Sequence, residues 1–300
     1  MPRSLSGHTD EVLNRVQDRI ETTATLQARE KAGSKKEAII EWINQSTVNH
    51  DNFQQDYNAT AQDGTGQAFL SCDTFRRWLE GTCATIFCPG LPGAGKTVMA
   101  SIVKSHLDEK MLDNNHLTAV LYFNYKRHLE DHSCQTLLLA VLAQFLSCSE
   151  KVPDRLRKMF ENKEPLRVND IISILESLIQ SSDRSFLIMD ALDEFYDDDG
   201  ARSRFLHLIQ RLQAAGDLRI MMTARPHLTD DPAICKWSDA TIQITASDGD
   251  LHTYLDHKIC GFPHLPDDFD LRQSIADRVV EASAGMLVPT LCPTNLPHAS

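Results

Sequence analysis

The sequence predicts an α/β protein, a parallel sheet between two layers of helices, with a helical segment ahead of it and a truncated helical part behind. Three observations carry this expectation. Short apolar runs without strict alternation recur at 84–88, 117–125, 185–190, 218–224 and 240–245, as strands buried on both faces should read. Stretches of helical periodicity separate most of them, the pattern of strand–helix–strand units. A glycine-rich stretch, "CPGLPGAGKT" from Cys88 to Thr97, stands between the first strand and the helix that follows it.

Taken in order, residues 1–45 form an N-terminal segment whose sparse apolar stripe (Val12, Val16, Ile20, then Ile39, Ile40, Trp42 and Ile43) predicts helices broken at Lys31–Lys36. Residues 46–82 are a connection rich in Asn, Gln, Asp, Thr and Gly. It closes in a short helix, with Asp73 as N-cap candidate, Gly81 as its stop, and Phe75, Trp78 and Leu79 on one face. The core, 83–247, adds helices at 96–111, 134–148, 153–162, 168–180 and 202–215 between its strands. Helical patterns at 249–259 and 269–283 give an extension over 248–286. Periodicity is lost after Val288, and Pro289 and Pro293 would break a helix, so 287–300 reads as an irregular tail.

The bulk numbers narrow the function classes. A chain that is 42% hydrophobic and 24% charged has the composition of a globular protein. Its formal net charge of −12 argues against a broad nucleic-acid interface, because phosphates would be repelled. The start lacks an apolar signal core, and the greasiest run, Thr136–Leu146, contains Gln144 and is too short to cross a bilayer. Eight scattered cysteines without a C-x-x-C pair fit reduced thiols, and a cytoplasmic location is expected. His128, His132 and Cys134 lie close together, but a solvated loop is the simpler reading than zinc, which would need a fourth ligand from elsewhere.

Gly90-Leu91-Pro92-Gly93-Ala94-Gly95-Lys96-Thr97 fits G-x-x-x-x-G-K-[ST] in full. Glycines let successive amides turn inward where a Cβ would interfere. Together with the helix N-terminus, those amides form an anion nest around Ala94. Lys96 would reach the β- and γ-phosphates of a nucleotide, and the Thr97 hydroxyl would sit on Mg²⁺. In "FLIMDALDEF", Asp190 ends a buried strand, where a carboxylate must stand to hold the magnesium shell. Asp193 and Glu194 lie just beyond, able to orient an attacking water. Arg225, after the strand "LRIMMTA", projects from the carboxyl edge of the sheet and could read the γ-phosphate.

These motifs, with "GTGQ" (Gly64–Gln67), "YFNYKR" (Tyr122–Arg127), "IMDALDEF" (Ile188–Phe195) and "TARP" (Thr223–Pro226), resemble the NACHT class of STAND NTPases. More narrowly, they are similar to the fungal nephrocystin-3-like module that often precedes ankyrin or WD repeats. The small residue Ala191 after the magnesium aspartate, followed by two acids, is the feature that marks the class. The resemblance implies a P-loop fold, binding of ATP or GTP with Mg²⁺, slow hydrolysis, and a switch that opens to self-associate or to engage other signalling proteins. The family usually carries tryptophan where Ala68 stands, and arginine near Thr60 and Ala61. Two other readings stay open: an active P-loop ATPase or kinase, for which "DRLRK" (Asp154–Lys158) is a faint source of a trans-acting arginine, and a truncated remnant that keeps the fold without signalling.

Overall fold

A computed structural model describes residues 33–47, 50–61, 64–110, 115–123, 133–195, 200–245, 249–250, 274 and 277–278. The expectations for residues 1–32, for nearly all of the extension beyond 250, for the tail, and for His128 and His132 concern residues outside this set.

The elements run as helix α1 (33–44), then α2 (His50–Thr60), α3 (Gln67–Ser71), α4 (Asp73–Glu80), β1 (Thr85–Pro89), α5 (Lys96–Lys110), β2 (His116–Tyr122), α6 (Cys134–Cys148), α7 (Asp154–Asn162), α8 (Val168–Ser181), β3 (Arg184–Asp190), α9 (Ala201–Gln213), β4 (Leu218–Ala224), α10 (Pro232–Trp237) and β5 (Ala240–Thr241). Short 3₁₀ turns follow β3 at Leu192–Glu194 and β4 at Pro226–Asp230.

The strands pair in the order β2-β3-β4-β1-β5, and every pairing is parallel. Thus β4 lies between β1, which feeds the glycine loop, and β3, which ends in Asp190. Alternate residues of each strand face opposite helical layers, as the pleat requires. Phe87, Leu121, Leu187, Met189, Ile220 and Met222 pack with α1, α6, α8 and α9. Ile86, Cys88, Val120, Phe186, Ile188 and Met221 pack with α3, α4 and α5. This is the predicted three-layer α/β/α sheet.

Two strand bounds differ from expectation. β2 ends at Tyr122, with Phe123 outside the strand, and the last two residues of the expected 117–125 lie outside the described residues. β5 is regular for only two residues, yet its pairing continues irregularly, with Ile242 N donating to Phe87 O at 3.0 Å and Ile244 N to Pro89 O at 2.8 Å. The N-cap of α4 is Cys72 rather than Asp73; its sulfur accepts from Phe75 N at 3.4 Å. Asp73 instead occupies the first turn, where its charge favours the helix dipole.

Gly81 ends α4 in the left-handed region at φ 99°. A Cβ there would lie 2.3 Å from the Arg219 guanidinium. That buried arginine donates to Trp78 O at 3.0 Å and to Leu79 O, so it closes the carbonyl end of α4, while Asp217 balances its charge at 2.9 Å. Trp78 itself is fully buried and donates from its indole to Ile220 O at 3.1 Å. An arginine inside an apolar strand is therefore a helix anchor.

The edge strand β2 is covered by side chains. Gln144, on α6, accepts from Val120 N and donates to Val120 O, both at 2.9 Å. His50 Nδ1 accepts from Tyr122 N at 3.1 Å. Backbone groups that would otherwise offer a template for another strand are thereby satisfied. The apolar run around Gln144 is a buried helix, as expected, and among the described residues no helix is long and apolar enough to cross a membrane.

Candidate phosphate-binding site

The site is assembled at the carboxyl edge of the three central strands. β1 delivers the glycine loop, and Gly90 N is tied to Ala224 O of β4 at 3.0 Å. Gly93 and Gly95 have φ of 78° and 86°, backbone states that a side chain resists. Gly90 is required for a different reason. A Cβ at this position would stand 2.9 Å from Ile244 O and 3.1 Å from Lys96 Cγ. Ala94 is buried within the loop, between these glycines.

α5 begins at Lys96 and runs for 15 residues, so its N-terminal amides and dipole face the loop. The Lys96 ammonium donates to Gly90 O at 2.8 Å and to Leu91 O at 3.0 Å. Of its three N–H donors, one is left for an anion. Burial lowers the Lys96 pKa; the charges of Asp193 and Asp190 oppose that shift, whereas Arg225 adds to it.

Asp190 is 1% exposed at the end of β3. Burial pushes its carboxyl up to about 6, against the opposing effects of hydroxyl hydrogen bonds from Thr223 and Thr97 and of the Lys96 charge. The Thr223 hydroxyl donates to Asp190 Oδ1 at 2.6 Å and accepts from Ala191 N at 2.9 Å. Ala191 sits at φ 57°, ψ 47°. That left-handed conformation costs about 1–2 kcal/mol for a residue with a Cβ and would be worse for a branched one. It turns the chain sharply, so the carboxylates of Asp193 and Glu194 come back toward the loop.

Asp193 and Arg225 meet directly. Arg225 N donates to Asp193 Oδ1 at 3.0 Å, and Arg225 Nε lies 3.1 Å from Asp193 Oδ2. Arg225 Nη2 is 4.0 Å from Glu194 Oε1. The Asp193 side chain is 5% exposed and that of Arg225 is 47% exposed.

The structure therefore brings Lys96, Thr97, Asp190, Asp193, Glu194 and Arg225 together from three strand ends. Thr223 escaped the residue-by-residue reading, although its signal was present as a lone hydroxyl in the buried run "RIMMTA". Among the described residues no cluster of three His, Cys, Asp or Glu side chains could hold a metal unaided. Six cysteines, Cys72, Cys83, Cys88, Cys134, Cys148 and Cys235, are free thiols.

No curated protein matches the chain. Similar solved structures include a DNA replication initiation factor (12% identity, TM-score 0.42, 74% of this chain and 63% of that one). AMPPCP-bound DnaA from Aquifex aeolicus is similar at 12% identity and TM-score 0.36, over 67% of this chain and 50% of that one. PCH-2 of C. elegans shares 16% identity at TM-score 0.41, over 86% of this chain and 67% of that one. The chain thus spans less than two thirds of the length of the first two. The model of the family described as nephrocystin 3, N-terminal, matches residues 64–225, more than half of the sequence. On that match, which runs from "GTGQ" through the glycine loop to Arg225, the chain belongs to the nephrocystin 3 N-terminal family.

Proposed function

We propose that this chain is a nucleoside-triphosphate-binding, NACHT-like signalling switch, part of a larger repeat-containing receptor, which takes ATP or GTP with Mg²⁺ and hydrolyses it slowly. The observation that supports the reading most is the convergence of Lys96 after β1, Asp190 at the end of β3 and Arg225 after β4 on one edge of the sheet. A cradle that excludes a Cβ at Gly90, with left-handed glycines at 93 and 95, fits a polyphosphate held by main-chain amides.

Thr97 and Asp190 are hard oxygen donors and suit Mg²⁺, which takes most of its remaining ligands from phosphate and water. Bound there, the ion would neutralise charge on the β- and γ-phosphates. Lys96 would grip the same oxygens from the loop side. Glu194 is the candidate for orienting a water against the γ-phosphorus, releasing inorganic phosphate and leaving the diphosphate. Arg225 would contact the γ-phosphate, so its contacts differ between the two nucleotide states, and that difference is what can shift a conformational equilibrium. Self-association or binding of other signalling proteins would follow the opened state.

The reading is tested by thermal unfolding of the full chain with and without Mg-ATP, Mg-GTP and Mg-ADP. Binding to the native state should raise the melting temperature. No shift with any of them would overturn the proposal. Fast steady-state phosphate release would replace the switch with an active ATPase.

A further inference from the structure

We infer that Asp193 is the positioning residue for Arg225, and that the preference of the site for triphosphate over diphosphate runs through this pair. The inference rests on the nucleotide-binding reading above and adds a role within it. Both oxygens of Asp193 are engaged by residue 225, one by its main-chain N–H at 3.0 Å and one by its Nε at 3.1 Å. With 5% of its side chain exposed, Asp193 has little access to a water of its own. It therefore differs from the water-orienting role expected from the sequence.

The pair behaves as a unit for an electrostatic reason. A buried carboxylate stripped of its partner is strongly disfavoured, so Arg225 does not leave Asp193 to meet a phosphate. It does not have to leave. A guanidinium carries five N–H donors in a rigid fork, and only the Nε edge is used by Asp193. The distal edge, half-exposed just after β4, keeps Nη1 and Nη2 in a fixed direction, with Nη2 4.0 Å from Glu194 Oε1. The 3₁₀ turn after the left-handed Ala191 sets where Asp193 stands, and β4, lying between the strands of Lys96 and Asp190, sets where Arg225 begins. Asp193 thus aims a fork whose free edge fits the oxygens of a terminal phosphate.

The test measures the affinities of Mg-ATP and Mg-ADP for the full chain by titration calorimetry, in wild type and in Asp193→Asn, Arg225→Ala, Arg225→Lys and the Asp193→Asn/Arg225→Ala double variant. The readout is the ATP-to-ADP affinity ratio. Arg225→Ala should lower it by roughly tenfold, Asp193→Asn should lower it by a similar factor, and the double variant should fall no further. Arg225→Lys keeps the charge but lacks the fork, so it should lose the ratio as the alanine does. That arm decides the matter if Asp193→Asn does not fold. A wild-type ratio in Asp193→Asn or in Arg225→Lys, or a raised ratio in Asp193→Asn, would overturn the assignment while leaving nucleotide binding intact. Wild type binding neither nucleotide would instead overturn the proposed function, and this assignment with it.

Discussion

Thr223 and Asp190 sit on neighbouring strands with the threonine hydroxyl donating to the carboxylate at 2.6 Å, while the same hydroxyl accepts from the amide of Ala191 at 2.9 Å. One hydroxyl thus satisfies a buried acid and the first residue of the left-handed turn that follows it. Thr223→Val keeps the shape and removes both bonds. It should cost about 1–3 kcal/mol, the penalty of leaving buried polar groups unpaired, and Thr223→Ser should recover most of it. Urea unfolding of the two variants measures the difference; equal stability of valine and wild type would show that the hydroxyl is dispensable.

Asp190 carries a cost that function would explain. Its folded pKa of about 6 lies above the ordinary carboxylate value of 3.8 because burial disfavours the charged form. A raised pKa means that the folded state binds the extra proton, so the stability associated with this group is fully present below pH 3.8 and is lost as pH rises through 6. Asp190→Asn should therefore be more stable than wild type at pH 7–8 without nucleotide, by about 2–3 kcal/mol. The gap should close as pH falls toward 4. The same variant should lose the stabilisation given by Mg-nucleotide. Denaturant unfolding across that pH range, with and without Mg-ATP, checks both signs.

Gly90 is held by packing rather than by backbone angle. An alanine there would drive its Cβ into Ile244 O, a main-chain atom that a rotamer change cannot move aside. Gly90→Ala should destabilise the protein by about 1–3 kcal/mol and weaken nucleotide binding through the displaced loop. An unchanged melting temperature would mean that the segment at 242–244 yields without cost.

Gln144 is predicted to matter for the edge of the sheet. Gln144→Leu retains volume but leaves Val120 N and O without their side-chain partner. The expected loss is about 1–3 kcal/mol, together with a greater tendency to aggregate through the bared edge. Unfolding and light scattering measure the two effects separately.

Much of this architecture can be read directly from the residues, and the reasons for success and failure are physical. Buried parallel strands such as those holding Phe186–Met189 and Ile220–Met222 are apolar along these runs, so their existence is plain from composition alone. The glycine loop is equally legible, because few chain geometries demand glycine at 90, 93 and 95 with lysine and threonine next. Strand ends were less legible, as β5 shows: its pairing continues to Ile244 by single hydrogen bonds without regular geometry. Arg219 and Gln144 look misplaced in apolar runs until their partners, the end of α4 and the edge of β2, are known. Those partners are distant in sequence. The Asp193–Arg225 contact was hidden for the same reason, since 32 positions separate the two residues.

The central claim is that a polyphosphate is gripped by the loop amides and the Lys96 ammonium. It is tested most directly by calorimetric titration of Mg-ATP and Mg-ADP into the full chain and into Lys96→Ala. Wild type should bind both nucleotides, and Lys96→Ala should lose about 1.5–3 kcal/mol of that binding, the worth of charge-assisted hydrogen bonds. Equal affinity in the two proteins, or no binding by wild type, would contradict the claim.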